Sequence, residues 1–199
     1  MWYNKYAFLR RHAHTERNKG FMANQTPNFV RRVPVSKPYL VTRNQALHLS
    51  PSNFKQFMEK NDVYGVIVDM PMGGTVLTTL ACYVNGAANL YFSNGNDYSG
   101  AAQRYPGVVQ AARVFVSNAA TMIEGLTPTK TLELPINNRH YAYILTTHGI
   151  YRLDLESNTN TGTPQERVFK TLYHRVMGEL RSAQMKDSAN GIDPKAALK

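Results

Sequence analysis

The order and spacing of apolar residues predict an α+β domain, an antiparallel sheet of about five to six strands packed by two long helices, with an extended basic arm ahead of it. Three observations carry this. Period-two apolar runs, broken by Gly and Asn turns, occupy 63–93 and 131–155. Each set is followed by a stretch of helical period. Lysine and arginine crowd the first 43 residues, which hold nine of them against one acid, Glu16; the other 156 hold fourteen against twelve acids. The basic character therefore belongs to the arm, and the domain is close to neutral.

Residues 1–45 show no sustained periodicity. Pro27, Pro34 and Pro38 punctuate them, and Val33-Pro34-Val35 favours extended backbone. Ser50-Pro51 is a helix-start signal, because serine accepts from free N–H groups and proline tolerates the first helical position. Phe54, Phe57 and Met58 then share one face of a short helix to about Lys60. Val63 to Met70 reads as a strand, with Tyr64, Val66, Val68 and Met70 on one side. Gly73-Gly74 turns the chain into a second strand over 75–84. Asn85-Gly86 predicts a type I′ hairpin with positive φ at both positions, leading to a third strand through Ser93.

After a polar loop over 93–100, Val108, Ala112, Phe115, Ala119 and Ile123 recur at helical spacing, predicting a helix over 106–124 stopped by Gly125. Strands are expected over 131–136, 140–147 and 150–155, turned at Asn137-Asn138 and His148-Gly149. A loop over 156–163 ends in the capping box Thr163-Pro164-Gln165-Glu166. The final helix carries Val168, Phe169, Leu172, Tyr173, Val176 and Leu180 on one stripe, with Arg167, Lys170, Arg175 and Arg181 off it. The expected organisation is an arm over 1–45, a single domain over 46–185 and a loose tail over 186–199.

The segments Val63–Asp69, Val108–Ile123 and Tyr141–Leu155, in the order helix, strands with short turns, long helix, strands, final helix, resemble the Roadblock and longin group of profilin-like folds. The likeness is architectural and spans about residues 50–184. The Asn85-Gly86 hairpin and long second strand depart from the short Roadblock pattern. The resemblance implies a non-catalytic, dimerising module that binds small GTPases or scaffolds complexes. It carries over no functional residue.

Candidate chemistry is sparse. Met72-Gly73-Gly74-Thr75 lacks the lysine of a phosphate loop. His12 and His14 have no further ligands nearby in sequence. His140 and His148 flank one strand and are acid–base candidates, and Asp69 is their carboxylate partner only if the fold brings it to His148 or Arg152. No serine sits in a nucleophile elbow. The single cysteine, Cys82, lies among Leu80, Ala81, Tyr83 and Val84 and reads as a small buried side chain. No catalytic residue, metal ligand or cofactor is assigned.

The arm has the most physical content. Arg10, Arg11, Arg17, Lys19, Arg31, Arg32, Lys37 and Arg43 alternate with aromatic residues. Guanidinium groups neutralise phosphates and rings stack on bases, so these eight are the candidate contacts to nucleic acid or an anionic surface. The arginine-rich, acid-poor start is also that of an organelle presequence, and Met22 is an alternative start. The lone cysteine and the lack of a long apolar run fit a cytoplasmic protein without a membrane span. The first expectation is thus a protein-interaction or scaffold module, a homodimer or a binder of a protein partner through a sheet edge or helix face. The alternatives are a nucleic-acid-associated accessory protein docking through the arm and an enzyme of unrecognised family.

Overall fold

A computed structural model describes residues 32–58, 62–73 and 75–192. It is an α+β fold built on one six-stranded sheet in the order β4-β3-β2-β1-β5-β6, antiparallel throughout. The strands are β1 (Val63–Met72), β2 (Val76–Tyr83), β3 (Ala88–Phe92), β4 (Asp97–Tyr98), β5 (His140–Thr146) and β6 (Gly149–Leu155). Four α-helices accompany them: α1 (Lys37–Leu47), α2 (Ala101–Arg104), α3 (Pro106–Asn118) and α4 (Pro164–Ala189). Two 3₁₀ helices, Pro51–Phe57 and Ala119–Met122, complete the set among the described residues.

The central strands are buried on both faces. Val66, Val68, Met70, Leu80, Cys82, Ala142 and Ile144 meet α3 and α4. Ile67, Ala81, Tyr83, Tyr141, Tyr143 and Leu145 meet α1 and the first 3₁₀ helix, where Phe54 stacks on Tyr83 at 5.1 Å. A register shift in β1 between Val63 and Gly65 breaks the expected alternation. Such a bulge adds one residue to the strand, so Val63 joins the helix-facing core and Tyr64 the opposite one.

The turns differ from the sequence reading in an instructive way. At Asn85-Gly86 only Gly86 has positive φ, 94°. Its N–H donates to Tyr83 O at 2.8 Å, and Asn85 Oδ1 accepts from Ala87 N–H at 3.0 Å. A Cβ on Gly86 would lie 2.5 Å from Val109 of α3, so packing as well as φ requires glycine there. The type I′ geometry occurs instead at Asn137-Asn138, with φ of 53° and 59° and Arg139 N–H donating to Ile136 O at 3.0 Å.

Four expectations are corrected. Residues 37–45, read as arm, belong to α1, capped by Ser36 and docked through Tyr39, Arg43, Ala46 and Leu47. Residues 131–136 form no strand. Leu132 rests against the Tyr141–Tyr143 face, and the carbonyls of 132 and 133 accept from the side chains of Arg43 and Tyr143 rather than from the backbone of a neighbouring strand. The helix over 106–124 is α as far as Asn118 and 3₁₀ from Ala119 to Met122. The final helix runs to Ala189, past the start of the expected tail, because Asp187 is tied into the fold. Residues 193–199 lie outside the described residues.

The connection from α3 to β5 passes from one face of the sheet to the other around the edge of β6. Pro128 packs on Gly149, Thr129 N–H donates to Ile150 O at 2.7 Å, and Glu133 reaches Arg152 at 3.3 Å. Farther along the same edge the Arg139 guanidinium donates to Asp154 O at 3.0 Å. At the other end of the sheet β4 has only two residues. Both edges are thus blunted against strand addition.

Candidate functional site

The buried charges were the natural place to look for chemistry, and each is held by partners inside the fold. Asp69, on β1, is fully buried. Its Oδ2 accepts from Arg43 Nε at 2.9 Å and Nη2 at 2.6 Å. Its Oδ1 accepts from the Thr79 hydroxyl at 2.6 Å, which leaves Thr79 Oγ1 to accept from the Tyr39 hydroxyl at 2.7 Å. Arg43 continues outward, donating to Leu132 O at 3.0 Å and Glu133 O at 3.2 Å. Tyr143 also donates its hydroxyl to Glu133 O. Burial, reinforced by the Asp69 charge, pushes the Tyr39 phenol up and the Tyr143 phenol to about 12, so both remain donors. One ion pair therefore pins helix α1 and segment 132–133 to the same face of the sheet.

A second cluster closes the far end of α4. Asp187 accepts from Tyr98, Arg104 and Tyr105, with Arg104 Nη2 at 2.6 Å. These donors, Arg104 first, hold its carboxyl down at about 2. At the near end of α4 Lys170 is 1% exposed. Its ammonium donates to Asn158 O and Thr161 O and so ties down the loop before the helix. The sequence placed Lys170 off the buried stripe. Its long stem crosses the core edge instead, with the charge satisfied by loop carbonyls.

The histidines separate. His140 is buried, with Nδ1 2.9 Å from the Tyr173 hydroxyl. Burial, with His174, Lys170 and Arg139 nearby, lowers it to about 4. His148 is exposed and lies 3.3 Å from Asp62. Asp69 meets neither His148 nor Arg152. Arg43 occupies it, and Arg152 lies over the Tyr141 ring at 5.0 Å while pairing with Glu133. No group of three or more potential metal ligands occurs among the described residues.

Of the eight arm cations, Arg32 and Lys37 are exposed and Arg43 is buried in its ion pair, so Arg43 offers no charge to a ligand. Arg10, Arg11, Arg17, Lys19 and Arg31 lie outside the described residues. No helix among the described residues is long and apolar enough to cross a membrane.

The surface that the sequence did not anticipate lies between α4 and the 3₁₀ helix Ala119–Met122. Val168, assigned to the buried stripe, is 55% exposed. With Met122, Phe169 and Leu172 it floors a groove of about 450 Å³, rimmed by Asn118, Thr121, Glu124 and Gln165. A shallower depression of about 340 Å³ continues it past Arg167 and Thr171. Leu126, 42% exposed, follows the same 3₁₀ helix. Helical periodicity could not separate Val168 from Phe169, because both fall within one broad apolar arc. What leaves Val168 uncovered is the end of α3: the chain tightens to 3₁₀ at Ala119 and turns away before covering the first turns of α4.

No protein-family model matches the chain, and no significant match to it was found among the curated proteins or the solved structures. The functional reading rests on geometry.

Proposed function

We propose that the domain is a non-catalytic interaction module that receives a protein partner, or a second copy of itself, in the groove between α4 and the 3₁₀ helix Ala119–Met122. The observation that carries the reading is the exposed Val168 at the centre of an apolar groove, on a sheet whose two edges are already blunted. A helix-face interface is then favoured over strand addition. An apolar centre with a polar rim is the usual anatomy of a protein contact. The buried ionisable groups support the same reading, since Asp69, Asp187, Lys170 and His140 all brace the fold. None of the four, and neither His148, lines the groove.

The test is affinity capture by the full chain from host lysate after nuclease treatment, comparing the wild type with Val168→Glu, alongside sedimentation of the purified protein. A near-stoichiometric protein, or a doubled mass, that is present for the wild type and lost for V168E is the expected result. Identical captures by both proteins would reject the groove. A monomer that retains no protein after nuclease would reject the interaction module itself.

A further inference from the structure

On α4, the core takes Phe169, Tyr173, Val176 and Leu180, and the groove takes the neighbouring flank of Val168 and Leu172. The outward arc is a third surface. Arg167, Thr171, His174, Arg175, Gly178, Arg181 and Ser182 fall on it by the 100° step of the helix, and all are exposed. The arc runs about 21 Å from Arg167 to Arg181. It contains no carboxylate. The acids of α4 are elsewhere: Glu166 closes the capping box, Glu179 lies against Gly107 of α3, and Asp187 is buried with Arg104. Arg167, Arg175 and Arg181 make no ion pair among the described residues; Arg167 donates only to Gly162 O, at 2.7 Å.

The charge is also unevenly spread over the domain. Asp62, Glu133, Asp154 and Glu156 gather around β5 and β6, where they pair with His148, Arg152 and Arg139. Near-neutral composition thus conceals an unpaired basic face on the helix layer.

We propose that the outward face of α4 is a nucleic-acid backbone contact, in which Arg167, Arg175 and Arg181 track successive phosphates along a strand. The stripe is linear, as a polynucleotide is, and all three cations are arginines, whose forked donors match phosphate oxygens. Of the residues between them on the arc, Thr171 and Gly178 are small and His174 is exposed; a Cβ at Gly178 would meet nothing within 4 Å, so a backbone can approach closely there. A lipid surface is less well matched, because Met185 is the one large apolar side chain on this arc. The stripe adjoins the groove, since Arg167 and Thr171 also line the depression that continues it, but Arg175 and Arg181 line neither.

The test uses the full chain and a mixed-sequence 20-nucleotide RNA and 20-base-pair duplex DNA, read by fluorescence anisotropy from 50 to 200 mM salt. The triple variant Arg167→Glu/Arg175→Glu/Arg181→Glu is compared with a control, Lys55→Glu, an exposed lysine in the first 3₁₀ helix on the other face of the sheet, and thermal melting confirms that each is folded. Three lost phosphate contacts reduce the slope of log K against log salt by about 2.7 on duplex DNA, so the wild type loses about 40-fold more affinity than the triple variant across that salt range. The control retains most of the wild-type slope. The proposal is overturned by absence of binding, by a triple variant with an unchanged slope, or by a control that loses as much as the triple variant. Competition by poly-glutamate as effective as by nucleic acid overturns it in favour of an acidic protein partner.

Discussion

Replacing Arg43 by methionine leaves the carboxylate of Asp69 fully buried with only the Thr79 hydroxyl for a partner. It also removes the donor to Leu132 O and one of the two donors to Glu133 O, so segment 132–133 loses its two hydrogen bonds to Arg43 of α1 and keeps the one from Tyr143. Breaking a buried ion pair from one side costs about 3–5 kcal/mol, because the surviving charge keeps its desolvation penalty without its attraction. With a urea slope of about 2 kcal/mol per molar, the unfolding midpoint falls by about 1.5–2.5 M. That is a large share of the ~5–15 kcal/mol that stabilises an ordinary domain. Urea titration at neutral pH, followed by circular dichroism and tyrosine fluorescence, measures it. The double variant Arg43→Met/Asp69→Leu separates the pair from the packing: removing both charges together recovers most of the loss, since apolar groups of similar volume often replace a buried pair at little cost. An Arg43→Met variant that loses under ~1 kcal/mol would falsify the assignment of Arg43 as the brace of α1. A double variant no more stable than the single one would show that the lost carbonyl contacts, and not the orphaned charge, dominate.

Two further outcomes follow from the burial of titratable groups. His140 is held at about 4, against about 6.5 for a free imidazole, so the unfolded chain binds a proton that the native state refuses. Its contribution is present above about pH 6.5 and is lost as pH falls through about 4, with a total on the order of 3 kcal/mol; equilibrium unfolding of wild type and His140→Gln at steps from pH 7 to pH 4 should show the difference between them shrinking, and a constant difference across that window would refute the linkage. Cys82 is wholly buried and its thiol is pushed up by desolvation, so a maleimide should label the native protein only as fast as it unfolds, while labelling in 8 M urea is immediate; rapid native labelling would contradict its place between β1 and β3.

The local pattern of this chain was legible wherever period and turn chemistry agree. The alternations of β1, β2, β3, β5 and β6, the helical spacing of α3 and the capping box of α4 are all written in neighbouring residues, and they determined an α+β fold with an antiparallel sheet. What was not legible depends on residues far apart in sequence. Helix α1 has almost no amphipathic pattern, and it is held by Arg43 reaching Asp69, 26 positions away, and by Tyr83 donating to Ala46 O. Residues 131–136 have a strand's alternation but cross the sheet face, because Arg43 supplies the donors that a neighbouring strand would have supplied. The two residues of β4 pair with β3 from within what reads as a polar loop.

The candidate surfaces divide in the same way. Sequence alone determined that Val168 is apolar and that Arg167, Arg175 and Arg181 are cations on a helix. Only the tertiary structure decided that Val168 is uncovered, that Arg43 and Lys170 are held inside the fold, and that Glu133, Asp154 and Glu156 pair around β5 and β6 while Arg167, Arg175 and Arg181 make no ion pair among the described residues. The physical reason is that propensity and period act over a few residues, whereas burial and charge pairing are settled by which elements meet across the sheet.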